Sequence, residues 1–550
     1  MGCTKKMGRR TVILFSLIIL CCCLMILRVY SLAQGDGLSE AAARQSSYRL
    51  DIAHFRGAIY DCNMEKLVSQ DRDTIAAVAP SVKSAAVLSG LLPKSEMESV
   101  FSLLQSGKPF ALRLDQPLDS GEDIDVFQVD VRYREAQLAP HVIGYCDGSG
   151  TGISGIELAY DDWLSADQGE ISVLYKVDAI NRVLAGEQRE VTDTSALKNR
   201  GVVLTLDSGL QKLAEEVAKK HMEKGAVIIN DVATGEIRAL VSLPDFSPLA
   251  LADVLDDEDA PLINRAFSSY NIGSVFKLVS AAAALEYGLS PEITYECTGG
   301  IEVDGTTFHC YNSKAHGAMD MHEAIAQSCN AYFIHLMQMV PPERFIETAK
   351  AFGFGTATEF APGMSSSAGI LTELSAIRNS KALANLSFGQ GDLMSTPVQV
   401  AALVNAIACG GEYRPLSLVK GLVDEEGNFT EQNEPVPARR VISERTAQLL
   451  EEYMISSVEY GTSVWGKPEH GQAAAKTATA ETGLKVDDRR VVQAWFSGYY
   501  PVGNPLYTIT ILVEDGDGGG TSCGPIFRDI TEAIYQHELL PPSERAKGGY

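Results

Sequence analysis

The chain has 550 residues, 45% of them hydrophobic and 21% charged, and a formal net charge of −25 at pH 7. This is a globular composition, long enough for two or three domains with separate cores. So acidic a balance excludes general nucleic-acid or anionic-membrane binding, which needs a basic footprint.

The first element is the apolar run "TVILFSLIILCCCLMIL" from Thr11 to Leu27, preceded by Lys5, Lys6, Arg9 and Arg10. Its length is near the lower limit for a membrane-spanning helix, and the basic flank should remain cytoplasmic. Residues 1–10 therefore read as a cytoplasmic tail, 11–28 as a transmembrane anchor, and the remainder as an extracellular part of a single-pass protein. Ser31-Leu32-Ala33 also resembles a signal-peptide cleavage site, but Arg28 and the long apolar run favour an uncleaved anchor. "MGCTKK" and "LIILC" lack the residues that lipidation signals require.

Residues 29–198 mix short strand patterns with Gly and Asp turns and carry no catalytic constellation. "DGSGTGISGIE" (Asp147 to Glu157) lacks the spacing and the Lys-Ser/Thr pair of a phosphate loop and reads as turns. From Gly201 the texture changes. "VVLTLDSGLQKLAEEVAKKHM" runs from a strand into a helix, with Asp207 as N-cap and Leu210, Leu213 and Val217 on one face. "GAVIINDVATGEIRALVSLP" reads as a hairpin. A helical region follows, from about Ser274 to Ser395. Strands are expected around "AAAKTATA", "VVQAWFSGYYP" and "LYTITILVE", then a final helix from Gly524 to His537. The pattern implies the α+β class, one antiparallel sheet flanked by helices.

Eleven cysteines are present. Cys3, Cys21, Cys22 and Cys23 lie in or before the anchor, and seven remain. No CxxC occurs, so neither a zinc nor a thioredoxin-type site is expected, and neither metal nor cofactor is assigned. Cys297 and Cys310 bracket "TGGIEVDGTTFH", whose "VDGTT" reads as a hairpin turn. A disulfide across that hairpin and a pair of free buried thiols both fit.

Three stretches could carry chemistry. In "NIGSVFKLVSAAAALE", Ser274 precedes a run of helix formers and Lys277 lies three residues on, within reach of its hydroxyl. An amine kept neutral by desolvation can take the proton of an otherwise poor nucleophile. Alone, the pair is a weak signal and is better read as an N-cap serine and a solvated lysine. "HEAIAQSCNAYF" begins like a zinc-protease helix, but Ala326 stands where the second histidine must be. What remains is Ser328 and Asn330 inside an apolar stretch, which must be hydrogen-bonded if buried. Cys329 between them lacks an apparent histidine partner. In "GQAAAKTATAETG", Lys476 and Ala478 share one face of a strand, Thr477 and Thr479 the other. Such a strand can bind a peptide by strand addition and hold its carboxylate.

In this order, SxxK, SxN and K-T-(A) resemble the motifs of the penicillin-binding protein and serine β-lactamase superfamily. "FRGAIYDCNMEKLV" and "HVIGYCDGSGTGISGIELAYDDWLSADQG" resemble the pedestal of class B penicillin-binding proteins. "LTLDSGLQ", "NRAFSSYNIGSVFK", "SFGQGDLMSTPVQVA", "AWFSGYYP" and "GPIFRDI" resemble their transpeptidase module. The resemblance implies an elongated, mainly β pedestal or dimerisation domain over 29–198, a transpeptidase domain over 199–541 and a tail over 542–550. It further implies that Ser274 attacks the D-Ala-D-Ala carbonyl of a stem peptide, with Lys277 as base. Ser328 would relay the proton to the departing amine, and Asn330 would hold Lys277 and the acyl peptide. Lys476 and Thr477 would bind the carboxylate, Ala478 would line the substrate strand, and the N–H groups of Ser274 and Thr479 would form the oxyanion hole. β-Lactams should acylate Ser274, and a polytopic membrane glycosyltransferase and other cell-wall assembly proteins are the expected partners.

The pattern departs from the family at three places: Ile272 replaces the usual proline, Cys62 and Met64 alter a usual turn, and Ala478 replaces glycine. The expectation for Ala478 is retained activity with altered β-lactam affinity. Alternatives of the same chemistry are a DD-carboxypeptidase or a β-lactamase. An alternative of another class is a weakly catalytic scaffold or β-lactam sensor, against which the complete set of reacting groups argues.

Overall fold

The computed structural model describes residues 3–33, 46–166, 169–194, 200–486 and 489–536. The expected tail at 542–550 and His537 lie outside the described residues. Helix α1 (Cys3–Ala33) contains a 24-residue segment, Gly8–Ser31, long and apolar enough to cross a membrane. It runs past both ends of the apolar run because Arg9 and Arg10, and Arg28 to Ser31, continue the helix, and the single Gly8 does not end it.

The rest of the chain divides into two compact units. The first takes its folded part from residues 46–55, 71–130 and 169–194. One three-stranded sheet there joins Ser47–Phe55, Gly169–Lys176 and Glu190–Asp193; another joins Phe110–Leu114, Asp71–Val78 and Ile124–Val131. Helices Val82–Leu91 and Lys94–Ser106 close the second sheet through Leu88 and Val100, packed with Ala76, Val78, Phe110 and Leu114.

The second unit comprises 56–70, 131–167 and everything from 198 onward. Residues 56–70 and 131–167, expected with the pedestal, therefore belong by contact to the larger unit. Two interactions explain it. Ala58–Tyr60 pairs in parallel with Gly201–Leu204. Arg56 and Arg132 both clasp the fully buried Glu157, at 2.7 and 2.6 Å. Burial alone would push the Glu157 carboxyl up, but the two guanidinium groups outweigh it and hold it below the usual range. The glycine-rich stretch before Glu157 makes this possible: Gly155, at φ +60°, passes so close to Val142 and Gly144 that a Cβ would strike backbone.

The centre of this unit is a five-stranded antiparallel sheet. Its strands are β1 (Gly225–Asp231), β2 (Ile237–Leu243), β3 (Ala474–Val486), β4 (Arg489–Tyr500) and β5 (Tyr507–Glu514), in the order β2-β1-β5-β4-β3. Alternation sets two apolar faces. Val227, Ile229, Phe496, Ile509 and Ile511 pack on α2 (Ser208–His221) and the C-terminal helix Gly524–Gln536. Asp207 caps α2 by accepting from the Leu210 N–H at 3.0 Å, as its position predicts. Ala226, Ile228, Ala474, Ala478, Trp495 and Leu512 face the helical part of the unit, including α3 (Lys277–Glu286) and α4 (Asn330–Met337). This is the expected α+β arrangement, a sheet between helices.

Candidate active site

A short 3₁₀ turn, Gly273–Phe276, delivers Ser274 to the start of α3. Slim residues let it sit there. Gly273 is left-handed, at φ +61°, and a Cβ on it would lie 3.1 Å from the Ala480 methyl and 3.3 Å from the Ala478 methyl. On the other side Gly389 packs against the Gly273 backbone with no room for a Cβ, and its carbonyl accepts from the Gly273 N–H at 3.0 Å. Asn271 completes the clamp: its N–H donates to Gln493 Oε1 and its carbonyl accepts from Trp495 Nε1 at 2.8 Å.

Lys277 is the first residue of α3 and is fully buried. Its Nζ lies 3.0 Å from Ser274 Oγ, 3.1 Å from Ser328 Oγ, 2.7 Å from the Ser328 carbonyl and 2.7 Å from Asn330 Oδ1. Burial pushes the ammonium down to about 8, against the opposing effect of the Cys329 and Cys310 thiols. Ser328 occupies the break between helix Met321–Ala326 and α4, at φ +58°, a backbone region that a serine seldom adopts. That break turns its hydroxyl and carbonyl toward the same amine. Asn330 opens α4, and its Nδ2 donates to the His309 carbonyl at 2.9 Å, so the amide is held from behind.

The third wall is β3, the outer strand of the sheet. Every second residue of an edge strand directs its N–H and C=O away from the sheet, open to strand addition. Lys476 is fully buried and donates to the Thr477 carbonyl at 3.0 Å; burial and the neighbouring Lys277 charge hold its ammonium well below the ordinary lysine range. Thr477 Oγ1 pairs with Thr462 Oγ1 at 2.8 Å, and Thr479 Oγ1 accepts from the Gly519 N–H at 3.1 Å. Ala478 is on the same face of β3 as Lys476, is 3% exposed, and has its methyl beside Gly273 in the core.

Sequence reasoning missed Thr462, Gly519 and the His309 carbonyl, none of which carries a local signature; Gly389 lies in the quoted "SFGQGD" stretch, but sequence reasoning did not foresee its contact with Gly273. It also missed a cluster beside Asn330. Cys297 and Cys310 form no disulfide; their Sγ atoms are 3.7 Å apart, and Cys310 Sγ is equally 3.7 Å from Cys329 Sγ. His316, absent from the expected set, brings Nδ1 to 3.4 Å from Cys297 Sγ. The missing CxxC had removed metal ligation from consideration, but the turn-rich segment 295–319 gathers ligand-type side chains without short spacing.

A serine hydroxyl, a desolvated amine shared with a second serine, and a cationic edge strand define a serine acyltransferase site. Comparison places it further. Residues 225–532 match the model of the penicillin binding protein transpeptidase domain. The chain is 27% identical over 94% of its length to stage V sporulation protein D of Bacillus subtilis, covering 84% of that protein. It is 31% identical over 82% of its length to penicillin-binding protein PbpB of Mycobacterium tuberculosis, covering 69% of that relative. Peptidoglycan D,D-transpeptidase FtsI of Escherichia coli is 26% identical, with 76% of this chain and 68% of FtsI covered. Penicillin binding protein 3 of M. tuberculosis, solved with aztreonam, superposes with a TM-score of 0.66 at 25% identity, covering 90% of this chain and 98% of that one. The chain belongs to the penicillin-binding protein transpeptidase family, and within it to the class B type.

Proposed function

We propose that this chain is a membrane-anchored peptidoglycan DD-transpeptidase in which Ser274 is the nucleophile and Lys277 its base. The observation that carries the reading is the single buried amine within 3.1 Å of both Ser274 Oγ and Ser328 Oγ. Neutral Lys277 takes the Ser274 proton as Oγ attacks the penultimate D-Ala carbonyl. The oxyanion forms against the N–H groups of Ser274 and Thr479. Ser328 passes the proton to the departing D-alanine amine, and Asn330 keeps Lys277 in place. Lys476 and Thr477 hold the terminal carboxylate. A neighbouring stem-peptide amine then attacks the acyl carbonyl, Lys277 takes its proton and returns it to Ser274 Oγ as the ester bond breaks, and a cross-link forms. β-Lactams present the same carbonyl and carboxylate and acylate Ser274.

The basic residues before the apolar segment support a cytoplasmic N-terminus and a single pass, with both folded units outside. Strand polymerisation falls to a polytopic glycosyltransferase partner together with other cell-wall assembly proteins. Labelling of the full chain with a fluorescent penicillin tests the site: Ser274→Ala should abolish it, and label retained by that variant overturns the assignment. Acyl-enzyme that hydrolyses within seconds, instead of persisting, points to the β-lactamase alternative.

A further inference from the structure

We propose that Cys297, Cys310, His316 and Cys329 form a zinc site that holds the Ser328–Asn330 segment in place. Their four ligand atoms lie within 4.8 Å of one another. The three cysteines are buried, and His316 is partly so. In a tetrahedral site with Zn–S near 2.3 Å, the S···S edge is about 3.8 Å and the S···N edge about 3.5 Å. The Cys297–Cys310 and Cys310–Cys329 edges are each 3.7 Å, and the Cys297–His316 edge is 3.4 Å. A disulfide needs about 2.05 Å, and joining any two sulfurs would strand the third beside it. Three soft sulfurs and one imidazole suit zinc above the hard cations, which prefer oxygen.

Backbone bonding has fixed the ligands from four different places. Cys297 ends strand Tyr295–Cys297 and accepts at its carbonyl from the His316 N–H at 3.1 Å. Cys310 follows hairpin strand Thr306–His309 and donates its N–H to Gly299 at 3.0 Å. Cys329 is the N-cap of α4, and its sulfur accepts from the Tyr332 N–H at 3.4 Å. The first turn of α4 thus directs an N–H group at the Cys329 sulfur, the arrangement by which an outer partner supports a bound thiolate. Binding displaces three thiol protons to solvent, and the zinc ion with three thiolates and a neutral imidazole carries one net negative charge.

The position gives the metal a role. Cys329 lies between Ser328 and Asn330, and Cys310 follows His309, whose carbonyl holds the Asn330 amide. Zinc would lock the hairpin and the Ser328–Asn330 turn to each other, making its ligands positioning residues for the acylation site. Metal content does not depend on the acyl-transfer reading, so the two stand or fall separately.

The test uses the full chain in detergent, purified with reductant and without chelator. Elemental analysis should find one zinc per chain, retained by Ser274→Ala. Cobalt(II) exchanged into the site should show thiolate charge-transfer and tetrahedral d–d absorption. Cys297→Ser and His316→Ala should lose zinc, Cys297→His should keep it, and Cys409→Ser should change nothing. Stripping zinc from the unaltered sequence should slow penicillin acylation about tenfold or more, and returning zinc should restore it. That reversible arm remains decisive where a variant misfolds. A zinc-free protein with a Cys297–Cys310 or Cys310–Cys329 disulfide, or with all three thiols free, overturns the site. Acylation unchanged after zinc removal overturns the positioning role.

Discussion

Lowering the pH should switch off acylation of Ser274 through Lys277 alone. An ordinary lysine titrates near 10.5, whereas burial brings Lys277 to about 8. At pH 7 about 10% of the buried amine is then neutral, against about 0.03% of an ordinary one, a gain of about 300-fold in available base. Between pH 6 and 9 the neutral fraction rises about 90-fold, so the logarithm of the rate should climb with unit slope and level off above about pH 8. The assay is the second-order rate of fluorescent-penicillin acylation, by rapid quench, from pH 6 to 9.5. Lys277→Arg should be inactive throughout, because a guanidinium does not deprotonate in this range. Folding stability carries the same sign. The folded-state value lies below the unfolded one, so the unfolded chain binds more protons between them and stability falls as the pH drops from about 10.5 to about 8. A rate that is flat from pH 6 to 9, or that rises only near 10, refutes burial as the device that frees the base.

Four further outcomes test the surrounding structure. Ala478→Gly should lower stability by about 1–2 kcal/mol, from a lost buried methyl and a more flexible strand, and a melting temperature equal to wild type refutes the packing of that methyl on Gly273. Gly273→Ala places a Cβ at φ +61° against Ala478 and Ala480, and acylation should fall at least tenfold; the added Ala478→Gly change relieves the contact but not the backbone angle, so rescue is partial. Lys476→Met removes a charge-assisted contact worth about 1.5–3 kcal/mol, so penicillin acylation efficiency should drop about 10- to 150-fold, read as the slope of rate against β-lactam concentration. Glu157→Gln leaves Arg56 and Arg132 without their shared anion and should cost about 3–5 kcal/mol in chemical denaturation. In the unaltered protein the Glu157 contribution is complete above the ordinary carboxylate range and lost as the pH falls through its depressed value.

Much of this was legible in the residues. Asp207 as a cap, the "VDGTT" turn between Gly300–Val303 and Thr306–His309, and the order of strands and helices all rest on local rules. Ser274, Lys277, Ser328 and Asn330 converge because a helix start and a helix break present them to one buried point. Other features depend on contacts between residues far apart in sequence. Nothing near Glu157 announces that Arg56 and Arg132 will close on it. The residues at 56–70 look like part of the first unit until Ala58–Tyr60 is seen paired with Gly201–Leu204. Cys329 looked solitary because His316 and Cys310 reach it only through the fold of the intervening loop.

Ala478 shows how a local reading changes when its neighbours are known. Judged along β3, a methyl in place of hydrogen crowds the ligand side of a substrate strand. Judged across the site, the methyl also meets Gly273, the residue before Ser274. The turn that carries Ser274 is gripped between that methyl and Gly389, so β3 also sets the height of the Ser274 hydroxyl. Substitution at Ala478 should therefore act on the rate of acylation at saturating β-lactam more than on the concentration needed to saturate. Lys476, the proposed carboxylate partner, should show the reverse. Measuring both parameters for Ala478→Gly and Lys476→Met separates the two effects, and a change at Ala478 confined to the saturating concentration would refute the route through Gly273.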